Sequence, residues 1–122
     1  MSQQSPESIV TAFIDAIEAR DFECARGYLS GAQFAYRSPV SKVDNADDFI
    51  SIISRIGPIL VKIERRKTFV DGGDVCSILN YRTTMEALKE VPVVQLATVA
   101  AGKIISLEAF FDASEYNKMI AG

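Results

Sequence analysis

Side chains able to move a proton or attack a bond are few in this 122-residue sequence, and one absence narrows the chemistry at once. There is no histidine. Ser-His-Asp and Cys-His mechanisms, imidazole bases and every histidine-containing metal site are therefore excluded. Acid–base work falls to Asp, Glu, Tyr, Lys or Cys. Cys24 and Cys76 are the only cysteines and lie outside any CxxC spacing, so they read as two reduced thiols rather than a disulfide framework or zinc knuckle. With no base beside it in the sequence, neither reads as an activated nucleophile. Tyr36, Ser38 and Tyr81 carry hydroxyls that can orient a carbonyl or hydroxyl by hydrogen bonding. Tyr81 becomes an acid only if its pKa, near 10 when unperturbed, is strongly lowered.

The acids worth weighing lie in "KIISLEAFFDASEY", Lys103 to Tyr116, which holds Glu108 and Asp112. Asp112 opens "Asp-Ala-Ser-Glu", the spacing in which a cap carboxylate accepts a backbone N–H while Glu115 reaches back. It reads as the first residue of a helix rather than as a catalytic acid. "DGGD", Asp71 to Asp74, lacks the spacing of a phosphate-binding loop and reads as a turn.

Positioning these groups falls to one domain, residues 1–122, long enough to bury roughly 65–70% of the surface its unfolded chain exposes. With 13 basic and 16 acidic residues, the net charge of -3 gives no electrostatic footprint for nucleic acid or an anionic membrane. The longest apolar stretch, "VPVVQLATVAAG", is too short to span a bilayer, and "MSQQSPES" lacks the regions of a signal peptide. A cytoplasmic protein is the expectation.

"SPESIVTAFIDAIEARD" has the period of an amphipathic helix, with Ser5 as N-cap, Pro6 in the first turn and Ile9, Val10, Phe13, Ile14 and Ile17 on one face. "RDFECARGYLSG" predicts a second helix capped by Asp21 and stopped by Gly31. "AQFAYRSP" alternates as a brief strand carrying Phe34, Tyr36 and Ser38 on one side. "DNADDFISIISRIG" returns to helical period, with Asp44 or Asn45 as cap and Phe49, Ile52, Ile53 and Ile56 as its stripe. Four longer strands follow, "ILVKIERRKTFV", "VCSILNYRTTME", "VVQLATV" and "IISLEAFF", with turns at "DGGD" and "AAGK" and a longer loop at "EALKEVP". A final helix is expected over "ASEYNKMIAG". The order is α+β, with the later strands antiparallel neighbours.

This order, with "IVTAFIDAIEARDFECARGYL" near the start and "GKIISLEAFFDASEY" near the end, resembles the nuclear transport factor 2-like superfamily, and within it the SnoaL-like (polyketide-cyclase-like) branch. The resemblance implies a cystatin-like, cone-shaped, curved antiparallel sheet wrapped around the N-terminal helices, with an apolar pocket at its open end. It also implies a homodimer paired through the outer face of the sheet. No metal or organic cofactor is implied.

Strand alternation then assigns faces. Val75, Ser77, Leu79, Tyr81 and Thr83 form the set that the resemblance turns inward, and Ile105, Leu107, Ala109 and Phe111 form the apolar set of the last strand. The outer sets include Cys76, Ile78, Asn80 and Arg82, and Ile104, Ser106, Glu108, Phe110 and Asp112. Enzymes of this fold provide a check. Where ketosteroid isomerases carry a base before a strand proline, this chain has Ser38; at their two oxyanion donors it has Phe13 and Val94. The Asp-Arg-Asp set of limonene-epoxide hydrolases falls on Tyr81, Leu79 and Ala109. Neither catalytic set is matched, and no catalytic residue is assigned. "ERRK", Glu64 to Lys67, reads as a solvated strand exterior, although alternation sends either Arg65 and Lys67 or Arg66 towards the cone, where an arginine could hold a carboxylate.

The pocket candidates are therefore Phe13, Tyr36, Ser38, Leu79, Tyr81, Val94, Ala109 and Phe111. Two functions fit. One is a homodimer whose subunits each hold a small, largely apolar molecule, as ligand or as substrate of a lyase, isomerase or cyclase reaction. The other is a non-catalytic dimerisation or protein-interaction module.

Overall fold

The computed structural model describes residues 4–114, so the expected helix beyond Ser114 lies outside the described residues. Helix α1 (Pro6–Glu18) begins as its sequence dictates: the Ser5 hydroxyl accepts from the Ser8 N–H at 3.1 Å, and Ile9, Val10, Phe13, Ile14 and Ile17 are buried. Helix α2 (Phe22–Gly27) is capped by Asp21, which accepts from the Cys24 N–H, but ends before Gly31. Backbone pairing explains the early stop. The Ser30 N–H donates to Ile104 O and the Ile104 N–H to Tyr28 O, so Leu29 leaves the helix to bridge a strand.

Helix α3 (Ala46–Ile53) takes Asn45 as its cap, the side chain accepting from the Asp48 N–H at 2.8 Å. Its deepest residues are Ala46 and Phe49, with Ile50 and Ile53 against the core; Ile52 and Ile56, expected in the stripe, are only half-buried. Phe49 is the aromatic hub, with ring centroids 6.1 Å from Phe13, 5.6 Å from Phe34 and 4.7 Å from Tyr36.

Among the described residues, β1 (Ala35–Arg37), β2 (Lys42–Val43), β3 (Leu60–Asp71), β4 (Asp74–Thr83), β5 (Glu90–Ala100) and β6 (Lys103–Phe110) form one curved, unclosed sheet. Its order is β2-β1-β6-β5-β4-β3. The last four strands are antiparallel neighbours; two-residue turns allow no other sense for β3 with β4 and for β5 with β6, while the longer loop at 84–89 joins β4 to β5. Gly72 (φ 60°) supplies the left-handed turn after β3, and Ala101 (φ 52°) with Gly102 (φ 77°) the one after β5. The expectation of an antiparallel sheet is corrected at β1, which pairs parallel with β6, Tyr36 opposite Leu107. No tight turn joins those two strands, so nothing local fixes their sense. Strand β2 was not foreseen. The Ser38 hydroxyl accepts the Val40 and Ser41 N–H groups, folding the chain back at Pro39 so that β2 pairs antiparallel with β1.

A second correction concerns parity. The β5–β6 register slips between Thr98 and Val99, placing Val99 opposite Ile104 and leaving Ile105 as the extra residue. A bulge reverses side-chain alternation beyond it. Ile104 is consequently fully buried and Ile105 only half-buried, while Leu107 and Ala109 remain inside.

Candidate functional site: the inner face of the sheet

Three strands present the inner face. Val75, Ser77, Leu79 and Thr83 on β4 are buried, with Tyr81 half-buried beside them. The register sets Ser77 opposite Gln95 and Gln95 opposite Ala109, so a row of small, amide and small side chains crosses β4, β5 and β6. Apolar rows flank it: Leu79 opposite Val93 on one side, Val75 opposite Ala97 and Ala97 opposite Leu107 on the other. Half-buried Tyr36, Ile50, Ile53, Tyr81, Val91 and Phe111 pack against this core and stay partly open to solvent.

The structure brings Phe13, Tyr36, Leu79, Tyr81, Ala109 and Phe111 into or against one core. Two candidates do not belong with them. Val94 is 36% exposed and pairs with Ile78 and Phe110, on the opposite face, because it is one residue out of phase with buried Val93 and Gln95. Ser38 is half-buried at a turn, its hydroxyl occupied by the two backbone N–H groups already described.

Tyr81 is not an activated acid. Burial pushes its phenol well above the ordinary value; neighbouring Tyr36 adds to the rise, and the Arg65 guanidinium opposes it. Its hydroxyl therefore stays protonated at neutral pH, able to donate a hydrogen bond but not to serve as a base. Arg65 is the arginine that alternation sends inward, opposite Leu79. Its guanidinium is already engaged by Asp15 and, at 3.9 Å, by Glu18.

Acids lie elsewhere. Glu108 stands opposite Arg37 and pairs with it at 2.8 Å. Glu64 and Glu90 share Arg82 and Asn80, the hydrogen bond from Asn80 doing most to hold the Glu64 carboxyl below its usual range, with Arg82 next. Asp112 is exposed, and its Oδ1 accepts from the Ser114 N–H at 2.9 Å and the Ser114 hydroxyl at 2.7 Å. That is the local geometry of a cap; Glu115, the other half of the expected capping box, lies outside the described residues. Among the described residues no cluster of three or more metal-ligating side chains forms. Cys24 is exposed and Cys76 half-buried, both as free thiols.

Grooves open on the surface of the described residues. One, of about 580 Å³, runs along the β2-β1-β6 end past Tyr36, Lys42, Asp44 and the Arg37–Glu108 pair. Another, of about 610 Å³, is lined by Glu64, Arg65, Arg66, Asn80, Glu90 and Pro92. Neither is lined by Phe13, Leu79, Ala109 or Phe111.

Gln95 is the residue that sequence reasoning missed. It is 7% exposed, and its Nε2 is buried with no hydrogen-bond partner among the described residues. The signal was available: a single polar residue at an inner position of "VPVVQLATV", obscured by a frame anchored on Val94.

Solved structures share this architecture from end to end. An NTF2-like protein of unknown function from Cytophaga hutchinsonii superposes with a TM-score of 0.82 at 23% identity, covering 96% of this chain and 99% of that one. The fold is nuclear transport factor 2-like. An LEH-like epoxide hydrolase from M. tuberculosis shares this fold at a TM-score of 0.75 and 18% identity, over 94% of this chain and 89% of that one. So does a protein with a ketosteroid isomerase-like fold from Catenulispora acidiphila, in complex with trimethylamine, at 0.76 and 17%, over 92% and 90%. A cystatin-like fold from Silicibacter pomeroyi also matches, at a TM-score of 0.75, 13% identity, 93% of this chain and 83% of that one. No protein-family model and no curated protein matches the sequence. Among the described residues no helix is long and apolar enough to cross a membrane.

Proposed function

We propose that this chain, a single domain over residues 1–122, is a cytoplasmic homodimer of the SnoaL-like kind that binds a small, largely apolar molecule against the inner face of the sheet. The observation that carries this reading is the chemistry of that face. Its side chains Ser77, Thr83, Gln95, Tyr36 and Tyr81 are uncharged and the inward Arg65 is engaged by Asp15 and Glu18, while the positions matched above to catalytic residues of this fold hold Ser38, Phe13, Val94, Tyr81, Leu79 and Ala109, none of them a carboxylic acid. Binding sites for small molecules are mostly apolar with a few oriented polar groups. Holding a ligand by hydrogen bonds and apolar contact needs no base; proton abstraction does. Binding is therefore favoured over lyase, isomerase or cyclase turnover.

The dimer half of the reading draws on the other face. Ile78, Val94 and Phe110 form one cross-strand row, and Phe69, Cys76 and Leu96 the next. Phe69 and Phe110 are 52% and 53% exposed, an apolar patch of the kind that marks an interface. That patch also favours the second reading, a module that pairs with itself or another protein and holds nothing inside.

Native mass spectrometry of gently purified protein separates the two. A small molecule travelling with each subunit is the expected result. Clean dimers that stay apo after exposure to a metabolite library would overturn the ligand reading and leave the interaction module.

A further inference from the structure

The Gln95 amide is the least satisfied polar group on the inner face. Its residue is 7% exposed, its Nε2 lacks a partner among the described residues, and directly opposite it the Ser77 side chain is 2% exposed. An unpaired buried donor costs stability on the scale of a lost hydrogen bond, and a Met or Leu there would avoid that cost. Ser77 is its polar cross-strand neighbour, yet no hydrogen bond joins that hydroxyl to Nε2. Ala109 opposite and Ala97 two residues along offer no side-chain acceptor, and the flanking rows are Leu79, Val93, Val75 and Leu107. The inward guanidinium of Arg65 is held by Asp15 and Glu18, so among the described residues it is not free to accompany the amide.

We infer that Gln95, with Ser77 beside it, is the polar anchor of the inner site and takes the carbonyl oxygen of an uncharged small molecule. This rests on the ligand reading above and narrows it. A carbonyl oxygen supplies the acceptor that Nε2 lacks, and its second lone pair can take the Ser77 hydroxyl. A carboxylate would carry a charge into an apolar site where, among the described residues, the inward Arg65 is already paired, so anionic ligands are disfavoured. Along β5, Gln95 lies two inner positions beyond Val91, about 13 Å from the half-open Tyr81–Val91 rim. A molecule held there has its oxygen at the deep end and its apolar body towards Tyr81 and Phe111.

Cyclohexanone and methylenecyclohexane test this, being alike in shape but differing in the acceptor. Side-chain amide signals of the wild-type protein are followed by NMR, with the Gln95 pair identified by its disappearance in Gln95→Met. The ketone is expected to shift the Gln95 amide protons and leave those of exposed Gln33 in place; the hydrocarbon is expected to do neither. In Gln95→Met the ketone should bind about fivefold to tenfold more weakly, the loss of one hydrogen bond, while hydrocarbon binding is unchanged. Gln95→Met should also melt higher than the wild type without ligand, because its orphaned donor is gone. If both probes bind, equally well and without moving the Gln95 amide, the anchor fails while the ligand reading stands. If neither binds, the anchor fails, and the ligand reading is decided by the mass spectrometry above. A lower melting point in Gln95→Met would mean that the amide is already satisfied, by a buried water, and would also overturn the anchor.

Discussion

Ile78 and Val94 stand directly opposite each other across β4 and β5, on the face turned away from the core. Phe110 continues the row on β6, opposite Val94. If this row forms the centre of the dimer, a charge placed in it must be buried unpaired. Phe110→Asp, or Ile78→Glu, is expected to shift the protein from dimer to monomer in sedimentation velocity, while circular dichroism keeps the wild-type shape. A dimer that survives both changes would remove the outer face from consideration.

The phenol of Tyr81 makes a prediction with a definite sign. Its folded pKa lies above its unfolded value near 10, so the native state holds the proton more tightly than the unfolded chain does. Its contribution is complete below pH about 10 and is lost as pH rises further. The melting temperature of the wild type should therefore fall as pH rises above about 10, the unfolded value. Tyr81→Phe should flatten that fall without changing its shape below pH about 9. Equal slopes in the two proteins would show that other groups govern alkaline unfolding.

Helix α1 closes the open edge of the sheet through one carboxylate. The Ile63 N–H donates to Glu18 Oε2 at 2.8 Å, and the Arg20 guanidinium donates to Gly57 O at 2.9 Å and to Leu60 O. Glu18→Ala leaves a strand-edge donor without its acceptor and should cost about 1–2 kcal/mol in urea unfolding. Hydrogen exchange at the Ile63 amide should accelerate in parallel. Glu18→Gln keeps an acceptor oxygen and should restore most of the protection; failure to do so would mean that the ion pair with Arg65 matters more than the edge bond.

The bulge at Thr98 and Val99 can be read by two truncations one residue apart. Ile104 is fully buried, so Ile104→Ala should cost about 2–5 kcal/mol, the range for large-to-small changes in a core. Ile105→Ala, at the half-buried extra residue, should cost less than half as much. Equal costs, measured by chemical denaturation, would place the register slip elsewhere.

Much of the architecture was legible in the sequence because its causes are local. Ser5, Asp21 and Asn45 cap their helices by bonds to residues three positions on, and the Gly-containing turns force β3 with β4 and β5 with β6 into antiparallel pairs. Period-2 alternation placed Leu79 and Leu107 inside and Ile78 and Phe110 outside, since successive strand residues must face opposite ways. The cap reading of Asp112 rested on near neighbours too, and its carboxylate accepts the Ser114 N–H, while Glu115, the other half of that reading, lies outside the described residues.

What the tertiary structure decided is whatever depends on residues distant in sequence. The parallel sense of β1 against β6, the early end of α2 at Gly27, and the small strand β2 all come from backbone pairing or folding back that no local period records. One extra residue in β6 exchanged Ile105 for Ile104 in the core, because a bulge reverses alternation and leaves no mark in an apolar run. Val94, matched to an oxyanion donor of the isomerases, faces outward because it is one residue out of phase with buried Val93 and Gln95. The side chain whose lack of a partner marks the candidate site could be found only once β4, β5 and β6 were laid side by side. A missing hydrogen bond is a property of surroundings, and the sequence holds the residue without them.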